Sequence, residues 1–306
     1  MSDSRKKLLL IDTFNFLHRA YHALPKTFTD EHGSPTNAVY GVTAMLINVF
    51  NQLQPNYTIA AMDSQKPTFR VEDFTGYKAH RKPMEDDLAV QIPKVLEILS
   101  AFGIKQITVD GYEADDIIGT ITKEVDEDVE MIIVSNDRDL WQLVNEDVTI
   151  MMPGKGNIVE WVGPDEVRAR MDMEPMQIID YKALRGDPSD NIPGVRGVGD
   201  KTATKLIKEY ANIEEVYKNI ANITPESLKT KLANSAEEAV MSKHLATIVT
   251  DVPFDLDLKE CKYTEFNRAA VRDVLQRYNF KSLIKRLGFE VSKDSQVDPS
   301  AQLPLL

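Results

Sequence analysis

Short apolar runs alternate with longer amphipathic stretches over the first half of the chain. The runs LLLID, YTIAAMD, KQITVD, VEMIIVS and VTIMMP have the length and composition of buried strands. Between them lie segments with apolar residues at helical spacing, such as TNAVYGVTAMLINVFNQL and VQIPKVLEILSAFG. This alternation predicts an α/β domain, with a mostly parallel sheet flanked by helices, over residues 1–175.

The second half of the chain is dominated by helical patterns. After MDMEPMQIIDYKAL the strand patterns largely disappear, while ATKLIKEY, SAEEAVMSKHLATIV and FNRAAVRDVLQRYNFKSLIKRLGF keep a helical period. We therefore expect a smaller all-α domain over residues 176–290. Residues 291–306 are polar with scattered proline, which predicts a disordered tail. A docking peptide at its QLPLL end is the less favoured interpretation.

Acidic residues follow the predicted strands at the points where the strands end. Asp12 follows the first strand, Asp63 the second, and Asp137 and Asp139 the fourth. Because the carboxyl ends of parallel strands meet at one edge of a sheet, these side chains should converge there. Such crowding of carboxylates is costly unless cations lie among them. The pattern thus predicts a site for a hard divalent ion such as Mg²⁺.

Three more acids, Glu113, Asp115 and Asp116, open a predicted helix that ends near Val125. Glu113 and Asp116 share a helix face from which Asp115 is displaced, so joint metal binding requires an irregular first turn. Alternatively, these acids only complement the helix dipole, as Asp137 could merely cap the helix that follows it. The recurrence of acids at strand ends favours the metal site. Two ions in such a crevice can promote phosphodiester hydrolysis.

The charge of the chain at first argues against a nucleic-acid partner. The net charge is −12 over 306 residues, whereas phosphate binding depends on Lys and Arg. Much of the negative charge is gathered in the suspected site, to which Asp187 and Asp190 also contribute. The basic residues, in turn, are concentrated in three patches. The patches are Lys78, His80, Arg81 and Lys82; Arg196, Lys201, Lys205 and Lys208; and Arg277, Lys281, Lys285 and Arg286.

Several other chemistries are excluded by composition. The single cysteine, Cys261, rules out an internal disulfide and favours a reducing, cytoplasmic location. No segment has the length of a membrane span or the form of a signal peptide, so we expect no membrane contact. His18 and His22 have the spacing of a helical zinc pair but lack a third nearby ligand, so packing or phosphate contact is preferred.

Two segments have features that suit nucleic acid. The polar connection at residues 66–95 is unusually long and combines Tyr77 with several cations, although a solvated loop is the simpler interpretation of this feature by itself. The segment GVRGVGDKTA has glycines for a tight hairpin followed by a helix start, whose amides can hold phosphates. An ordinary glycine-rich turn is the alternative. The residues concerned are Gly194, Gly197, Gly199, Lys201, Thr202 and Lys205.

Together these motifs resemble the 5′-nuclease family, and most closely its bacterial branch, the 5′-3′ exonuclease domain of DNA polymerase I. The resemblance runs from about Leu8 to Phe289 and is carried by IDTFNFLHRAYHAL, PTNAVYG, AAMDSQKPTFR, YKAHR, GYEADDIIGT, SNDRDLWQL and RGDPSDNIPGVRGVGDKTA. It implies a PIN-like catalytic domain with a helical arch at about residues 66–95. It also implies a helix-three-turn-helix module that grips duplex DNA, with a potassium ion at its hairpin.

The resemblance assigns roles residue by residue. One metal cluster corresponds to Asp12, Asp63, Glu113, Asp115 and Asp116, and a second to Asp137, Asp139, Asp187 and Asp190. Lys78 and Arg81 match arch residues that meet the scissile phosphate, while Arg19, Arg70 and Tyr77 match DNA contacts. The chain departs from the family pattern at Thr13, Phe14, Lys66, Pro67 and Arg138, none of which removes a metal ligand.

The implied function is a structure-specific 5′-3′ exonuclease and flap endonuclease that acts in primer removal and DNA repair. It would use two Mg²⁺ ions, with Mn²⁺ as an alternative. The expected substrate is DNA with a 5′ flap, a nick or a 5′ end, the expected protein partner is a DNA polymerase, and the expected state is a monomer. Two alternatives remain: a PIN-type ribonuclease, which would not need the glycine hairpin, and a non-catalytic DNA-structure-binding protein.

Overall fold

The computed structural model describes residues 5–154, 158–263 and 266–289. The predicted tail at residues 291–306 and its QLPLL end lie outside the described residues. The strands are β1 (Lys6–Asp12), β2 (Tyr57–Ala61), β3 (Lys105–Ile107), β4 (Val129–Val134), β5 (Val148–Pro153) and β6 (Val159–Val162). The first helices are α1 (Thr13–Ala23), α2 (Asn37–Leu53), α3 (Phe69–Asp73), α4 (Asp86–Ala89), α5 (Ile92–Ala101), α6 (Ala114–Glu124) and α7 (Pro164–Met171).

The remaining helices follow in the second half of the chain. They are α8 (Ile178–Arg185), α9 (Asp200–Tyr210), α10 (Ile213–Lys218), α11 (Glu226–Asn234), α12 (Ala236–Ala246), α13 (Arg268–Arg277) and α14 (Lys281–Arg286). Short 3-10 helices occupy Asp139–Leu143, Pro175–Gln177 and Ile220–Asn222. Throughout the described residues, every helix is too short or too polar to cross a lipid bilayer.

A six-stranded sheet in the order β3-β2-β1-β4-β5-β6 forms the centre of the α/β part. The five predicted strands are confirmed and pair in parallel, while β6 pairs antiparallel with β5 at the edge. The pattern did not predict β6, which is short and partly exposed. The direction in which strands are added reverses between β1 and β4, and such a reversal opens a crevice at the carboxyl ends of the strands.

Both faces of the sheet are buried, which explains why its strands are continuously apolar. In β1, Leu9 and Ile11 pack in one core with residues of α1, α2 and α5, while Leu8 and Leu10 pack in the other with residues of α6. All four side chains are at most 1% exposed. The end of β1 is therefore packed on both faces of the sheet, and this packing fixes the backbone at Asp12.

Helices α8–α12 surround a separate apolar core that includes Leu184, Val195, Ile207 and Val216. The chain then returns to the sheet, where Thr58 donates a backbone hydrogen bond to the carbonyl of Cys261 over 2.9 Å. This return to the sheet argues against the prediction that the all-α domain continues to residue 290.

The apolar faces of α13 and α14 belong to the α/β core. Val271 and Leu275 of α13 and Leu283 of α14 lie in the same cluster as residues of α2 and α5. The helical period in the sequence predicted these helices but could not show which core they join. We propose that the helical module covers residues 178–246.

The predicted arch at residues 66–95 contains α3, α4 and the start of α5, separated by irregular backbone. Residues 75–80 form consecutive turns rather than a continuous helix. This part is fastened to the helical module, because the Lys78 backbone N–H donates to the Asp190 carbonyl over 2.9 Å and Asn191 Nδ2 donates to the Gly76 carbonyl over 2.6 Å. The segment thus spans the opening of the crevice.

Candidate active site

A cleft of about 570 Å³ opens at the carboxyl ends of β1, β2 and β4. Phe14 and His18 of α1 form part of its wall, and Lys78 and Arg81 lie across its opening. Five carboxylates from four separate segments line the cleft. They are Asp12, Asp63, Glu113, Asp115 and Asp137.

Asp12 is the most enclosed of these acids, with 6% of its surface exposed. It caps α1 by accepting a hydrogen bond from the Asn15 backbone N–H at 3.2 Å, and it accepts a second from Ser135 Oγ at 2.7 Å. Burial raises the pKa of Asp12 to about 7, and the neighbouring Asp63 and Asp137 carboxylates add to the increase, despite the two hydrogen bonds. Among the described residues, no Lys or Arg side chain pairs with Asp12 to offset its negative charge.

Asp115 lies in the first turn of α6, and its pKa is raised as well. Burial raises its pKa well above the usual value, and the Asp137 and Asp12 carboxylates raise it further. The Lys78 ammonium lowers the pKa but does not offset these effects. Asp63 contacts the same turn, because its Oδ1 accepts a hydrogen bond from the Ala114 backbone N–H at 2.8 Å. Joint metal binding by Glu113 and Asp115 requires an irregular start of the helix. Glu113 provides it, because this residue is the N-cap of α6 and its backbone is extended.

Two cations bridge this cleft to Asp190 of the helical module. Lys78 Nζ lies 3.0 Å from both carboxylate oxygens of Glu113 and 3.7 Å from Asp190 Oδ2. Arg81 donates to the other oxygen of Asp190. Burial would lower the pKa of Lys78, but Glu113 and Asp190 outweigh it and raise the pKa. Lys78 therefore stays charged over the cleft.

A second acidic group is centred on Lys182, a residue that no sequence motif identifies as part of the site. Lys182 Nζ donates to Asp139 and, over 2.6 Å, to Asp187 Oδ2. Burial raises the pKa of Asp139 to about 6, although Lys182 opposes the increase. Burial would also raise the pKa of Asp187, but Lys182 and Ser189 lower it to about 2. The only sequence signal was a lysine on a predicted helix five positions before Asp187, which did not distinguish it from a solvated residue.

Asp116 does not line the cleft, which argues against the prediction that it binds metal. It is fully buried, and its two oxygens each accept a hydrogen bond from Arg70 at 2.7 Å. The same oxygens accept the backbone N–H groups of Glu113 and Val249 at 3.1 and 2.9 Å. Its hydrogen-bonding capacity is thus used within the protein, and Asp116 acts as a structural anchor.

Arg70 is the other half of this anchor, and its burial argues against its assignment as a DNA contact. Its side chain is 3% exposed. Besides Asp116, it donates to the carbonyls of Leu245 and Thr247 at 3.0 and 2.8 Å, at the end of α12. Arg70 therefore joins the base of the arch segment to α6 and to the exit of the helical module.

Tyr77 and Arg19 differ in their exposure to solvent and therefore in their access to a substrate. Tyr77 is 4% exposed, and its hydroxyl lies 3.1 Å from Asp190 and 3.2 Å from Glu113. Its ring packs with Ile192, and this burial argues against its assignment as a DNA contact. Arg19 is partly exposed and donates to the Gly154 carbonyl at 2.6 Å, and its phosphate contact stays a prediction.

The glycine hairpin before α9 has the backbone shape that its sequence predicted. Gly194 and Gly197 have φ values of +63° and +80°, and Gly199 caps α9 in an extended conformation. Lys201 and Lys205 are exposed beside a groove of about 650 Å³. With the partly buried Thr202 in the first turn of α9, these residues remain predicted DNA contacts.

Gly194→Ala is expected to destabilise the protein by at least about 3 kcal/mol. A Cβ atom at this position would lie 2.2 Å from the Gly186 backbone nitrogen, and the positive φ adds strain. Gly199→Ala is the matched control, because no atom lies within 4 Å of its Cβ position, and it should cost less than about 1 kcal/mol. Urea unfolding of both variants measures the difference, and equal losses would contradict the tight approach at Gly194.

The donor chemistry of the cleft fits divalent cations. Its acids offer hard oxygen ligands, and the raised pKa values of Asp12 and Asp115 show negative charge that the protein does not neutralise. Across the described residues, no three His, Cys, Asp or Glu side chains are arranged to hold an ion by themselves. An ion bound in the cleft would therefore need further ligands, such as water or substrate phosphate.

Comparison with known proteins gives the family. Residues 7–172 match the model of the 5′-3′ exonuclease N-terminal resolvase-like domain, and residues 173–269 match that of the 5′-3′ exonuclease C-terminal SAM fold. DNA polymerase I of Bacillus subtilis (strain 168) is 40% identical over 300 residues, which are 97% of this chain and 34% of the relative. The thermostable DNA polymerase I of Thermus thermophilus is 34% identical over 287 residues, or 94% of this chain and 34% of that protein.

Solved structures share the fold. The D15 flap endonuclease of bacteriophage T5, in a pseudo-enzyme-product complex with DNA and metal ions, has a TM-score of 0.66 at 22% identity and covers 91% of this chain and 98% of its own. The catalytic core of Rad2 with DNA substrate has a TM-score of 0.61 at 17% identity, covering 93% of each chain. Together with the family models these matches confirm the predicted fold class, and the family models define the chain as a nuclease. It belongs to the 5′-3′ exonuclease family, and it spans about a third of the length of the polymerases that it matches.

Proposed function

We propose that this protein is a structure-specific 5′-3′ exonuclease and flap endonuclease that hydrolyses phosphodiester bonds of DNA during primer removal and repair in the cytoplasm. The observation that carries the proposal is the cleft in which five carboxylates lie beneath Lys78 and Arg81. A crowded group of acids disfavours a phosphate unless cations accompany it, and two fixed basic groups at the opening suit an incoming DNA strand.

The proposed cofactors are two divalent cations, Mg²⁺ or alternatively Mn²⁺. Asp12, Asp63, Asp115 and Glu113 would hold the first, with Asp137 placed between this group and the second. Asp139, Asp187 and Asp190 would hold the second. Bound there, the cations supply a water of lowered pKa and charge neutralisation at the leaving oxygen.

The protein groups would position the substrate. Lys78 and Arg81 now pair with Glu113 and Asp190, so an arriving phosphate competes for the same ammonium and guanidinium groups. If the Lys78 ammonium and the Arg81 guanidinium paired with the phosphate instead, the carboxylates of Glu113 and Asp190 would become available to the metal ions. Since Lys78 keeps its charge, it can orient the scissile phosphate electrostatically without acting as a base.

The helical module would hold the duplex next to the cleft. The amides of the hairpin from Gly194 to Gly199 and the start of α9 suit phosphate contacts, with Lys201 and Lys205 adding charge. A potassium ion at this hairpin belongs to the same proposal. We also propose that the protein acts as a monomer and works beside a DNA polymerase, to which its relatives are joined.

A cleavage assay tests this function. A duplex with a labelled 5′ flap is incubated with the protein in Mg²⁺, in Mn²⁺ and in EDTA, and single-stranded RNA of the same sequence is run beside it. We expect metal-dependent cleavage of the flap near its junction and little cleavage of RNA. Preferential RNA cleavage would indicate the ribonuclease alternative, and DNA binding without turnover in either metal would indicate a non-catalytic binder.

A further inference from the structure

A second cavity, of about 880 Å³, lies away from the candidate active site. Ligand pockets usually have volumes of about 300–1,000 Å³ with an apolar lining and a few polar groups. This cavity combines four aromatic rings, three lysines and three side-chain amides. The rings belong to Phe50, Tyr57, Tyr263 and Phe266, the lysines are Lys6, Lys259 and Lys262, and the amides are Asn51, Gln54 and Asn56.

The cavity is at the opposite end of the sheet from the acidic cleft. Lys6 and Tyr57 are the first residues of β1 and β2, whereas Asp12 and Asp63 lie at or beyond the ends of the same strands. At about 3.3 Å per residue, the length of β1 separates the two sites by about 20 Å. A ligand in this cavity would therefore not touch the carboxylates.

The aromatic wall of the cavity is held in place by the surrounding chain. The rings of Phe50 and Tyr263 stack with centroids 4.6 Å apart and planes inclined by 20°. The Tyr263 backbone N–H donates to the Asn56 carbonyl over 2.7 Å, and Lys262 forms an antiparallel bridge with Tyr57. The rings are thus held by α2, β2 and the segment around Lys262 and Tyr263. A planar ligand would therefore contact side chains that are already fixed in position.

The three lysines of the cavity have no acidic partner in the part of the chain that the structure describes. Lys6, Lys259 and Lys262 are exposed and form no ion pair with another described residue. The nearby Glu260 is engaged by Lys105 at 2.6 Å. In a chain with a net charge of −12, three ammonium groups beside one cavity, without an ion-pair partner among the described residues, favour an anionic ligand.

We propose that this cavity binds a nucleotide, with its base against the partly exposed rings of Tyr263 and Phe266 and its phosphate among Lys6, Lys259 and Lys262. Bases of every type stack on aromatic side chains, and lysine binds phosphate as a point charge. Two sources would present the same chemistry: a free mononucleotide or the end of a single strand. The proposal does not depend on the nuclease function.

The test measures dTMP binding by calorimetry in EDTA, so that hydrolysis plays no part. The variant Lys259→Gln/Lys262→Gln should weaken binding at least about tenfold, because two phosphate-facing charges are removed. Lys218→Gln/Lys229→Gln, on α10 and α11 and outside both the cavity and the basic patches, is the matched control and should leave the affinity within about twofold. Thymidine and inorganic phosphate should each bind at least about tenfold more weakly than dTMP, since each lacks half of the interaction.

A labelled hexathymidylate identifies the source of the nucleotide. If only the oligonucleotide binds, and Lys259→Gln/Lys262→Gln weakens it more than the control pair does, the cavity takes the end of a single strand. Equal losses in both double variants would overturn the proposal. The proposal would also be overturned if inorganic phosphate bound as tightly as dTMP. The same conclusion would follow if dTMP did not bind at about 10 mM and Lys259→Gln/Lys262→Gln left oligonucleotide binding unchanged.

Discussion

Asp115→Asn is expected to lower flap cleavage by at least about a thousandfold while DNA affinity stays nearly unchanged. The substitution removes a carboxylate oxygen from the centre of the acidic cleft, where Asp137 and Asp12 raise the pKa of Asp115. The amide cannot supply the charge that attracts a divalent cation. Single-turnover cleavage of a flap substrate in Mg²⁺ gives the rate, and fluorescence anisotropy without metal gives the affinity.

The same variant should be at least as stable as the parent at pH 8 in EDTA. Because the pKa of Asp115 is raised in the folded protein, folding binds protons and stability falls as pH rises from the unfolded to the folded pKa. The amide in Asp115→Asn carries no charge for burial to disfavour, so this loss disappears. Asp128→Asn, at an exposed position, is the control and should change neither rate nor stability. Cleavage within about tenfold of the parent in Asp115→Asn would remove the residue from the metal site.

The pair Asp115 and Asp116 also shows how far the sequence could reach. The strand ends and the helix start predicted that acids would meet at one edge of the sheet, and five of them line one cleft. Adjacent positions in a first helical turn point in different directions, and only the packed structure shows which one meets Arg70. The partner of Asp116 lies 46 residues away and its other contacts include the chain after α12, so no local pattern contained this information.

Lys182 and α13 illustrate the same limit. Lys182 was visible only as a basic residue on a predicted helix, and its role follows from the way α8 packs beside Asp139. The helical period of α13 was clear, but the choice between two cores depends on long-range packing of Val271 and Leu275. Periodicity predicts that a face is buried and gives no information about the surface that covers it.

Asp116→Asn is expected to lower the free energy of unfolding by about 3–5 kcal/mol. The change leaves the guanidinium of Arg70 in a buried position without its bidentate carboxylate, and the charge cannot move to water because the Arg70 side chain is 3% exposed. It also weakens the bonds to the N–H groups of Glu113 and Val249, which fix the start of α6 and the chain after α12. Urea unfolding at pH 7 measures the loss.

The control is Asp110→Asn, which breaks an ion pair between Lys66 and Asp110 whose side chains are 69% and 66% exposed. Water solvates the remaining ammonium there, so the loss should stay below about 1 kcal/mol. Hydrogen exchange adds a local readout, because Asp116→Asn should accelerate exchange at Val249 and in the first turn of α6. At a temperature where it remains folded, the variant should still cleave flaps, unlike Asp115→Asn. A stable but inactive Asp116→Asn would instead return Asp116 to the metal site.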